Sequence, residues 1–504
     1  MSDIAFNVDK YLEEQSVEIL NRVQQFNNKL YLEFGGKILF DYHASRVLPG
    51  FDPNIKIKLL QQLKDKTEII LCIYAGDIER RKIRADFGIT YDVDALKLID
   101  DLRKWGLDIA AVVITRYEEQ TSVKMFKNKL ERRDVKVHTH RYTRGYPTDI
   151  NLVVSDQGYG ANTYIETEKP LVVVTGPGPG SGKLATCLSQ LYHEYKRDME
   201  AGYAKFETFP IWNLSVKHPV NVAYEAATAD LKDVNIVDPF HLEAYGETAT
   251  NYNRDVDAFP LLRRIFEKIT GKQPPYLSPT DMGVNQAGFS IVDDDAAREA
   301  AGQEVIRRFL RYSCEYMLGL VNKETVQRAE LLMDNLDLKV EHRPVVIPAR
   351  NAAEQAREED KGNEGFFCGA AIQLKNGDIV TGKNSPLMHS ASATILNAIK
   401  QLAEIPSKIH LIAPTIIESI AGMKKEIIQA KGASLDLEEA LIAVGASTPS
   451  NNAAQLAVDQ LKNLRGCEMH MTHMPTPGDE TGLRSLGINL TSDPRFSSRS
   501  LFVK

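Results

Sequence analysis

The sequence predicts an α/β protein: an N-terminal, mostly parallel sheet with a P-loop-like turn and a helical subdomain, followed by a smaller C-terminal α/β domain. Three observations support this class. Apolar, β-branched runs alternate with helical patterns from residue 28 to about 200, which is typical of a parallel sheet. A glycine-rich loop follows one of these runs. A charged stretch at 357–361 precedes a second alternating region, and such a stretch is typical of a solvated linker or helix end.

The strands and helices of the N-terminal region follow from hydrophobic spacing. We predict strands at 29–34, 67–75, 107–115, 135–139, 150–155 and 171–175, and helices at 93–105, 120–132 and 184–199. Helical spacing then dominates near 255–270, 293–319 and 323–335. A hairpin with its turn at 375–378 and a strand near 468–470 belong to the C-terminal region. The predicted domains are therefore 1–200, 201–336 and 337–504.

The most informative segment is the loop Gly176-Pro177-Gly178-Pro179-Gly180-Ser181-Gly182-Lys183, between a predicted buried strand and a predicted helix. Backbone N–H groups of such a loop can surround a phosphate, and the lysine adds a positive charge. We therefore predict that a ligand is bound by Gly176, Gly178, Gly180, Ser181, Gly182 and Lys183. The alternatives are a site for another kind of ligand and a purely structural turn.

The loop departs from the usual G-x-x-x-x-G-K-[ST] pattern in ways that bear on metal binding. Pro177 stands where the first glycine is expected, and Leu184 stands where Ser or Thr would hold Mg²⁺. Thr186 lies roughly 200° around the helix from Leu184 and is a poor substitute. A carboxylate at a strand end could hold the ion instead. Asp238, after Ile236-Val237, is the predicted catalytic partner of Lys183, and Asp156 is its rival.

Composition excludes several classes of protein. The chain has 504 residues, 43% of them hydrophobic and 26% charged, with a net charge of −7, which argues against a nucleic-acid coat or an anionic-membrane binder. No apolar run approaches the roughly 20 residues that span a bilayer. The five cysteines form no C-x-x-C pair, so we do not expect a disulfide framework. We expect the protein to reside in a reducing cytoplasm. We also expect a homo-oligomer, with contacts from the helical subdomain.

Several further segments follow predicted strands and are candidate binding elements. The basic segment 76–84, the loop 43–50 and the residues 138–144 each place cations or histidines there, although a solvated surface explains each of them equally well. His470 and His473 are candidate metal ligands. If their segment is extended, however, a spacing of three residues places the two side chains on opposite faces. The metal ligands therefore remain unknown.

Two resemblances add to this interpretation. The hairpin and helix of 369–403 resemble the opening of the cytidine-deaminase fold, but His389-Ser390-Ala391 lacks that family's glutamate, and no P-C-x-x-C follows. The loop at 176–186, together with the segments 43–49 and 486–489, resembles a conserved bacterial family of chains of about this length, grouped as a domain of unknown function. That resemblance implies a cytosolic, two-part α/β protein with a nucleotide-kinase-like N-terminal region, and it transfers no catalytic residues.

The leading functional hypothesis is an enzyme that binds ATP or another phosphorylated ligand at 176–183. It would be an NTP-dependent phosphotransferase or nucleotidyltransferase, using Mg²⁺ if Asp238 or Asp156 holds the ion. The alternatives are a non-catalytic sensor or assembly protein that binds a nucleotide or phosphometabolite, and an enzyme whose loop holds a phosphorylated substrate. In each case the partner is a small phosphorylated molecule.

Overall fold

The computed structural model describes residues 4–27, 29–84, 88–429 and 432–499. The described residues form two compact units, one extending to residue 301 and the other beginning at residue 302, so the boundary lies inside a long helix. Each unit contains its own β-sheet. The sheet of the first unit is six-stranded and entirely parallel, which confirms the predicted α/β class.

The first unit alternates strands and helices along most of its length. Its strands are β1 Leu30–Phe34, β2 Thr67–Tyr74, β3 Ile83–Arg84, β4 Ile89–Thr90, β5 Asp108–Thr115, β6 Val137–Thr139, β7 Leu171–Thr175, β8 Gly202–Phe206, β9 Asn235–Val237 and β10 Thr250–Tyr252. Its helices are α1 Val8–Gln25, α2 Tyr42–Val47, α3 Ile55–Gln62, α4 Ala75–Glu79, α5 Tyr91–Lys104, α6 Thr121–Glu131, α7 Ile150–Val153, α8 Lys183–Tyr195, α9 Pro219–Ala227, α10 Pro239–Tyr245 and α11 Asn253–Thr270.

The main sheet has the strand order β6-β5-β2-β7-β1-β8. Its two faces are covered by different helices. Val172 and Val174 of β7 pack with Cys187 and Leu191 of α8 on one face. On the other face, β2 and β5 pack against α5 and α6. Full burial of such aliphatic side chains contributes about 1.5–3 kcal/mol each, so β7 is anchored as a rigid central strand.

Two predictions for this unit differ from the structure. The strand predicted at 150–155 is wrong, because this segment forms the short helix α7. Asp149 is its N-cap, and its carboxylate accepts a hydrogen bond from the N–H of Leu152 at 3.0 Å. The strand β8 was missed. It is a five-residue edge strand that contains glycine and lysine, so its apolar signal is weak.

The long helix α12 Asp294–Met317 carries the unit boundary, and α13 Lys323–Asp334 and α14 Val346–Glu358 follow it. The remaining elements of the second unit are β11 Gly369–Gln373, β12 Ile379–Lys383, α15 Ser390–Leu402, α16 Pro414–Glu426, α17 Leu437–Ser447, α18 Asn452–Val458, β13 Glu468–Met471, α19 Pro477–Ser485 and β14 Asn489–Ser492. The predicted hairpin is confirmed. The sheet order is β12-β11-β13-β14, and β11 is antiparallel to both of its neighbours.

Candidate functional site

The glycine-rich loop lies where the connections of the main sheet diverge. The connection after β2 leads to β5, on one side of β7, whereas the connection after β7 leads past β1 to β8 on the other side. In open α/β sheets such a divergence leaves a crevice outside the carboxyl ends of the strands, and ligands bind there. The loop that follows Thr175 is therefore at the position in this sheet that is best suited to a ligand.

Two glycines give the loop its shape. Gly180 and Gly182 have φ values of 71° and 92°, in the left-handed region that other residues rarely adopt. A Cβ atom on Gly182 would also lie 2.7 Å from the side chain of Thr115. Any larger residue at 182 would be strained by its backbone and by this contact. The loop thus reaches the start of α8 by a path that only glycine can follow.

The backbone donors of the loop have no partner in the part of the chain that the structure describes. Among the residues that the structure describes, no hydrogen bond is made by the N–H groups of Gly178, Gly180, Ser181 and Gly182, or by those of Lys183, Leu184 and Ala185. Gly182 is the N-cap of α8, and no side chain caps this helix. The N-terminus of a helix carries roughly half a positive charge. An anion placed here would satisfy donors that the fold leaves open.

Lys183 is the first residue of α8, and its ammonium group has no counter-ion among the residues that the structure describes. In the described part of the chain it forms neither a hydrogen bond nor an ion pair. Its charge therefore adds to that of the helix N-terminus instead of being neutralised by a carboxylate. Lys183 and the open N–H groups together make the loop a positively charged concavity.

Ser181 lies inside the loop. Its side chain is 2% exposed, and its hydroxyl group has no hydrogen-bond partner among the described residues. The carbonyl oxygen of the same residue accepts a hydrogen bond from the hydroxyl of Thr115 at 2.7 Å. An unsatisfied buried hydroxyl costs about 1–3 kcal/mol, so a ligand oxygen within its reach would recover that free energy.

Arg116, which the sequence analysis missed, contacts the loop directly. It follows β5, and its side chain donates a hydrogen bond to the carbonyl oxygen of Gly180. Its guanidinium carbon lies 3.6 Å from the centroid of the Tyr74 ring. Its φ value of 52° is unusual for a residue other than glycine. Arg116 is therefore held in a strained conformation that points its charge towards the loop.

Glu33 is a second residue that the sequence analysis missed. It lies on β1, next to Val174 of the neighbouring β7, and its carboxylate accepts a hydrogen bond from Tyr203 at 2.7 Å. The thiol of Cys187, one turn after Lys183, is affected by both charges. Burial raises the pKa of Cys187 well above its usual value, Glu33 raises it further and Lys183 lowers it. Cys187 is thus a neutral core residue, and Glu33 is a carboxylate on the face that α8 covers.

Asp238, the predicted catalytic partner, does not meet the loop in its described contacts. It is fully buried and caps α10, where it accepts hydrogen bonds from Phe240 and His241 at 3.0 and 3.1 Å. Its other oxygen accepts two hydrogen bonds from Thr280, at 3.2 and 2.7 Å. Four hydrogen bonds account for both carboxylate oxygens, and the structure brings Asp238 together with α10 instead of Lys183.

Asp156 is also away from the loop. Its carboxylate accepts a hydrogen bond from Tyr192 at 2.7 Å and lies 3.6 Å from Lys196, and the bond from Tyr192 lowers its pKa first of all. Tyr192 is nine residues beyond Lys183 on α8, about 14 Å along the helix. Asp156 therefore lies beside the C-terminal end of α8, away from the loop.

The basic segment at 76–84 lies near the loop, but part of its charge is neutralised. Arg80 and Lys82 lie 2.9 and 4.0 Å from the carboxylate of Asp77. Arg80 also faces the Tyr74 ring, which it shares with Arg116. The side chain of Arg84 lies outside the described residues. The segment therefore contributes positive charge near the loop, and Asp77 neutralises part of that charge.

A pocket adjoins the first residues of the loop. It is lined by 36–40, by residues of α5 and by Thr175 and Gly176, and its cavity volume is only about 30 Å³. Ligand sites commonly measure about 300–1,000 Å³. Lys97 of α5 lies 4.6 Å from the centroid of the Phe40 ring in this wall and 2.5 Å from Asp101. The pocket is therefore a shallow depression beside the loop, much smaller than a ligand site.

The second unit has its own polar cluster. Nδ1 of His389, which precedes α15, lies 2.7 Å from the carboxylate of Asp479. That carboxylate also accepts hydrogen bonds from Thr476 at 2.9 Å and from the N–H of Leu437 at 3.0 Å. Burial lowers the pKa of His389, but the hydrogen bond to Asp479 and the charges of Asp479 and Asp436 together outweigh burial and raise it. Sequence reasoning did not connect these residues, because 90 positions separate His389 from Asp479.

The structure gives no support to a metal site at His470 and His473. His470 is fully buried, and its Nδ1 is 3.0 Å from the hydroxyl of Thr491 while its Nε2 is 3.4 Å from Asp493. Across 4–27, 29–84, 88–429 and 432–499, no group of three or more His, Cys, Asp or Glu side chains is arranged to hold a metal ion. In the same ranges, no helix is both long and apolar enough to cross a membrane.

Comparison with known proteins gives the family. Residues 4–337 match the profile "Domain of unknown function DUF1846, N-terminal", and residues 341–502 match its C-terminal counterpart. The chain is 57% identical over 500 residues to a UPF0371 protein of Clostridium botulinum (strain Langeland / NCTC 10281 / Type F), with 99% of each chain covered. It is 55% identical over 499 residues to a UPF0371 protein of Clostridium tetani (strain Massachusetts / E88), with the same coverage. The chain therefore belongs to the DUF1846/UPF0371 family of bacterial proteins.

Proposed function

We propose that this protein binds ATP or another phosphorylated small molecule at the loop 176–183. The observation that carries the proposal is the set of unpartnered N–H groups from Gly178 to Ala185, next to a lysine without a counter-ion. Every helix leaves its first N–H groups without an intrahelical partner, and at α8 no side chain of the described residues caps them. Phosphate oxygens match them in number, in charge and in their position at a helix N-terminus.

The reaction class that we propose is phosphoryl or nucleotidyl transfer in a cytoplasmic enzyme. Lys183 would neutralise charge on the transferred group, and the loop donors would hold it. Mg²⁺ is commonly held by one or two carboxylates together with phosphate oxygens. Glu33 is the more suitable carboxylate for this role, because both oxygens of Asp238 already accept hydrogen bonds and Asp156 lies at the far end of α8.

A second candidate is a non-catalytic sensor or assembly protein that binds the same ligand. The observation that favours it is Leu184, an apolar residue at the position where transfer enzymes with this kind of loop place a metal-binding hydroxyl. Such a protein would bind its ligand without Mg²⁺ and without turnover. Ligand binding would then bias an oligomer interface.

Thermal-shift measurements with a panel of nucleotides and sugar phosphates, with and without Mg²⁺, test both candidates. We expect at least one ligand to raise the melting temperature of the wild-type chain and of Lys196→Ala. Lys196→Ala is a matched control, because it removes a lysine from the other end of α8. The shift should disappear in Lys183→Ala.

The Mg²⁺ dependence then separates the two candidates. A shift that requires Mg²⁺ and is lost in Glu33→Gln, followed by turnover of the same ligand, supports transfer chemistry. A shift indifferent to Mg²⁺, without turnover, supports the sensor. If no ligand changes the melting temperature, or if Lys183→Ala responds as the wild type does, the proposed binding site is wrong.

A further inference from the structure

The charge balance around the loop limits the ligands that fit it. The ammonium of Lys183 and the guanidinium of Arg116 both belong to the loop region, and within the described residues neither has a carboxylate within ion-pair distance. In the basic segment, the carboxylate of Asp77 already pairs with Arg80 and Lys82. Within the described residues, two positive charges and a helix N-terminus therefore face the loop without an ion-pair partner, although the carboxylate of Glu33 lies on the neighbouring strand β1.

The backbone of Arg116 is strained. Its φ value of 52° lies in the left-handed region, which residues with a Cβ atom adopt only rarely. In this conformation the side chain of Arg116 makes two contacts. The side chain crosses the face of the Tyr74 ring at 3.6 Å and ends at the carbonyl oxygen of Gly180.

The guanidinium of Arg116 has donors to spare. It carries five N–H groups in a planar fork, and its hydrogen bond within the described protein is to Gly180. Such a fork binds phosphate oxygens in pairs, which a lysine cannot do. Gly180 lies next to the open N–H groups of the loop. A phosphate held by those groups is therefore within reach of the remaining donors.

The geometry points to Arg116 as a second cationic residue, besides Lys183, that contacts the bound phosphate group. From this and the uncompensated charge we infer that the ligand carries at least two negative charges on its phosphate oxygens. A terminal phosphate or a diphosphate chain meets this condition, and a phosphodiester does not. The inference rests on the proposed function and narrows it to one substrate class.

Calorimetric titration with inorganic pyrophosphate and with dimethyl phosphate, a monoanionic diester, tests the inference. We expect the wild-type chain to bind pyrophosphate at least about 10-fold more tightly than dimethyl phosphate, because each charged hydrogen bond contributes about 1.5–3 kcal/mol. In Arg116→Gln, which keeps a donor for Gly180 and loses the charge, pyrophosphate affinity should fall by about 10- to 100-fold. Dimethyl phosphate affinity should change much less.

Two further variants remove the remaining ambiguities. Arg133→Gln deletes the same charge from an exposed turn after α6 and should bind pyrophosphate as the wild type does. Arg116→Gly relieves the left-handed strain, so it should fold at least as stably as the wild type while losing the same affinity. A loss of affinity without a loss of stability cannot be attributed to misfolding.

The possible failures are distinguishable. If Lys183→Ala loses pyrophosphate binding while Arg116→Gln and Arg116→Gly retain it, the inference about Arg116 is overturned and the proposed function stands. If the wild-type chain binds the diester as tightly as pyrophosphate, the inferred ligand class is wrong. If the wild-type chain binds neither probe, both the inference and the proposed phosphate site are overturned.

Discussion

The start of α8 in the first unit differs from the starts of α17 and α19 in the second unit in how the first N–H groups of the helix find hydrogen-bond partners. Every helix begins with N–H groups that have no partner inside the helix. At α17 and α19 these groups are met by the protein: Asp436 caps α17, Thr476 caps α19, and Asp479 accepts a hydrogen bond from Leu437. At α8 there is no capping side chain.

The difference shows which helix end is available to a ligand. An anion bound at α17 or α19 would have to displace a carboxylate or a hydroxyl that already satisfies the helix. At α8 it would displace only water, and Lys183 would add its charge. The two regions therefore serve as site and internal control within one chain.

The largest effect should come from removing the carboxylate that joins α17 and α19. Asp479→Ala leaves His389 and the N–H of Leu437 without their partner, and breaking such a buried pair costs about 3 kcal/mol. Hydrogen exchange in the first turn of α17 should accelerate about 100-fold. Glu480→Ala, which removes the exposed neighbouring carboxylate paired with Arg484, is the matched control.

The first unit carries an independent reporter for this experiment. The two tryptophans of the chain, Trp105 and Trp212, both belong to it, so their fluorescence follows its unfolding. We expect the fluorescence midpoint of Asp479→Ala to stay close to the wild-type value. If exchange in α17 is unchanged, the carboxylate of Asp479 is not what stabilises these helix ends.

A smaller effect should appear as a dependence on pH. The pKa of His389 is raised in the folded chain by Asp479, so the folded state holds this proton more tightly than the unfolded state does. The resulting stabilisation is complete below the ordinary pKa of 6.5 and is lost as the pH rises through the folded-state pKa. The effect is smaller than that of Asp479→Ala, because deprotonation weakens the bond without removing a partner.

Comparison with His389→Gln isolates this contribution. The difference in stability between the wild type and His389→Gln, measured by hydrogen exchange in α15 and α17, should shrink between pH 6.5 and pH 9. The measurement stays above pH 6 because Asp436, whose pKa is raised by burial, also acts on His389. A difference that does not vary with pH would mean that the charge of His389 contributes nothing.

The smallest effect should come from placing a negative charge in the first turn of α8, where α17 and α19 already have acidic residues. Ala185 is exposed in the first turn of α8. Ala185→Glu should stabilise this helix end by about 0.3–1 kcal/mol and lower its affinity for pyrophosphate a few-fold, whereas Ala185→Lys should do the reverse. Ala244→Glu, the same change at an exposed site of α10, should leave affinity unaltered. Equal affinities in the Glu and Lys variants would argue against an electrostatic site at α8.

Much of the sheet was predictable because its strands are short apolar runs. Ile69 to Ile73 and Leu171 to Val174 are fully buried in parallel neighbours, so they are continuously hydrophobic and easy to recognise. The segment at 150–155 has a similar apolar composition. There, however, the carboxylate of Asp149 accepts a hydrogen bond from the N–H of Leu152, and this bond stabilises a helical turn. Local side-chain hydrogen bonds of this kind override apolar pattern.

The location of the loop was predictable, but the residues around it were not. Gly182 and Lys183 are contiguous with β7 and visible in the sequence. Arg116 and Glu33 reach the loop region only because the sheet order sets β2 and β1 beside β7 and places β5 next to β2. Strand order is a property of three-dimensional packing that hydrophobic spacing does not encode. For Asp238 the sequence shows a strand-end carboxylate, and the structure adds that it caps α10, so its catalytic role stays a prediction.

The most direct test of the open helix end is NMR of the chain labelled with ¹⁵N-glycine and titrated with inorganic pyrophosphate. The amide signals of Gly178, Gly180 and Gly182 should shift saturably at one common affinity, and Lys183→Ala should abolish the shifts. Gly478, in the first turn of α19, should not move. Loop signals that stay in place at high pyrophosphate, or that move no more than Gly478, would contradict the phosphate site.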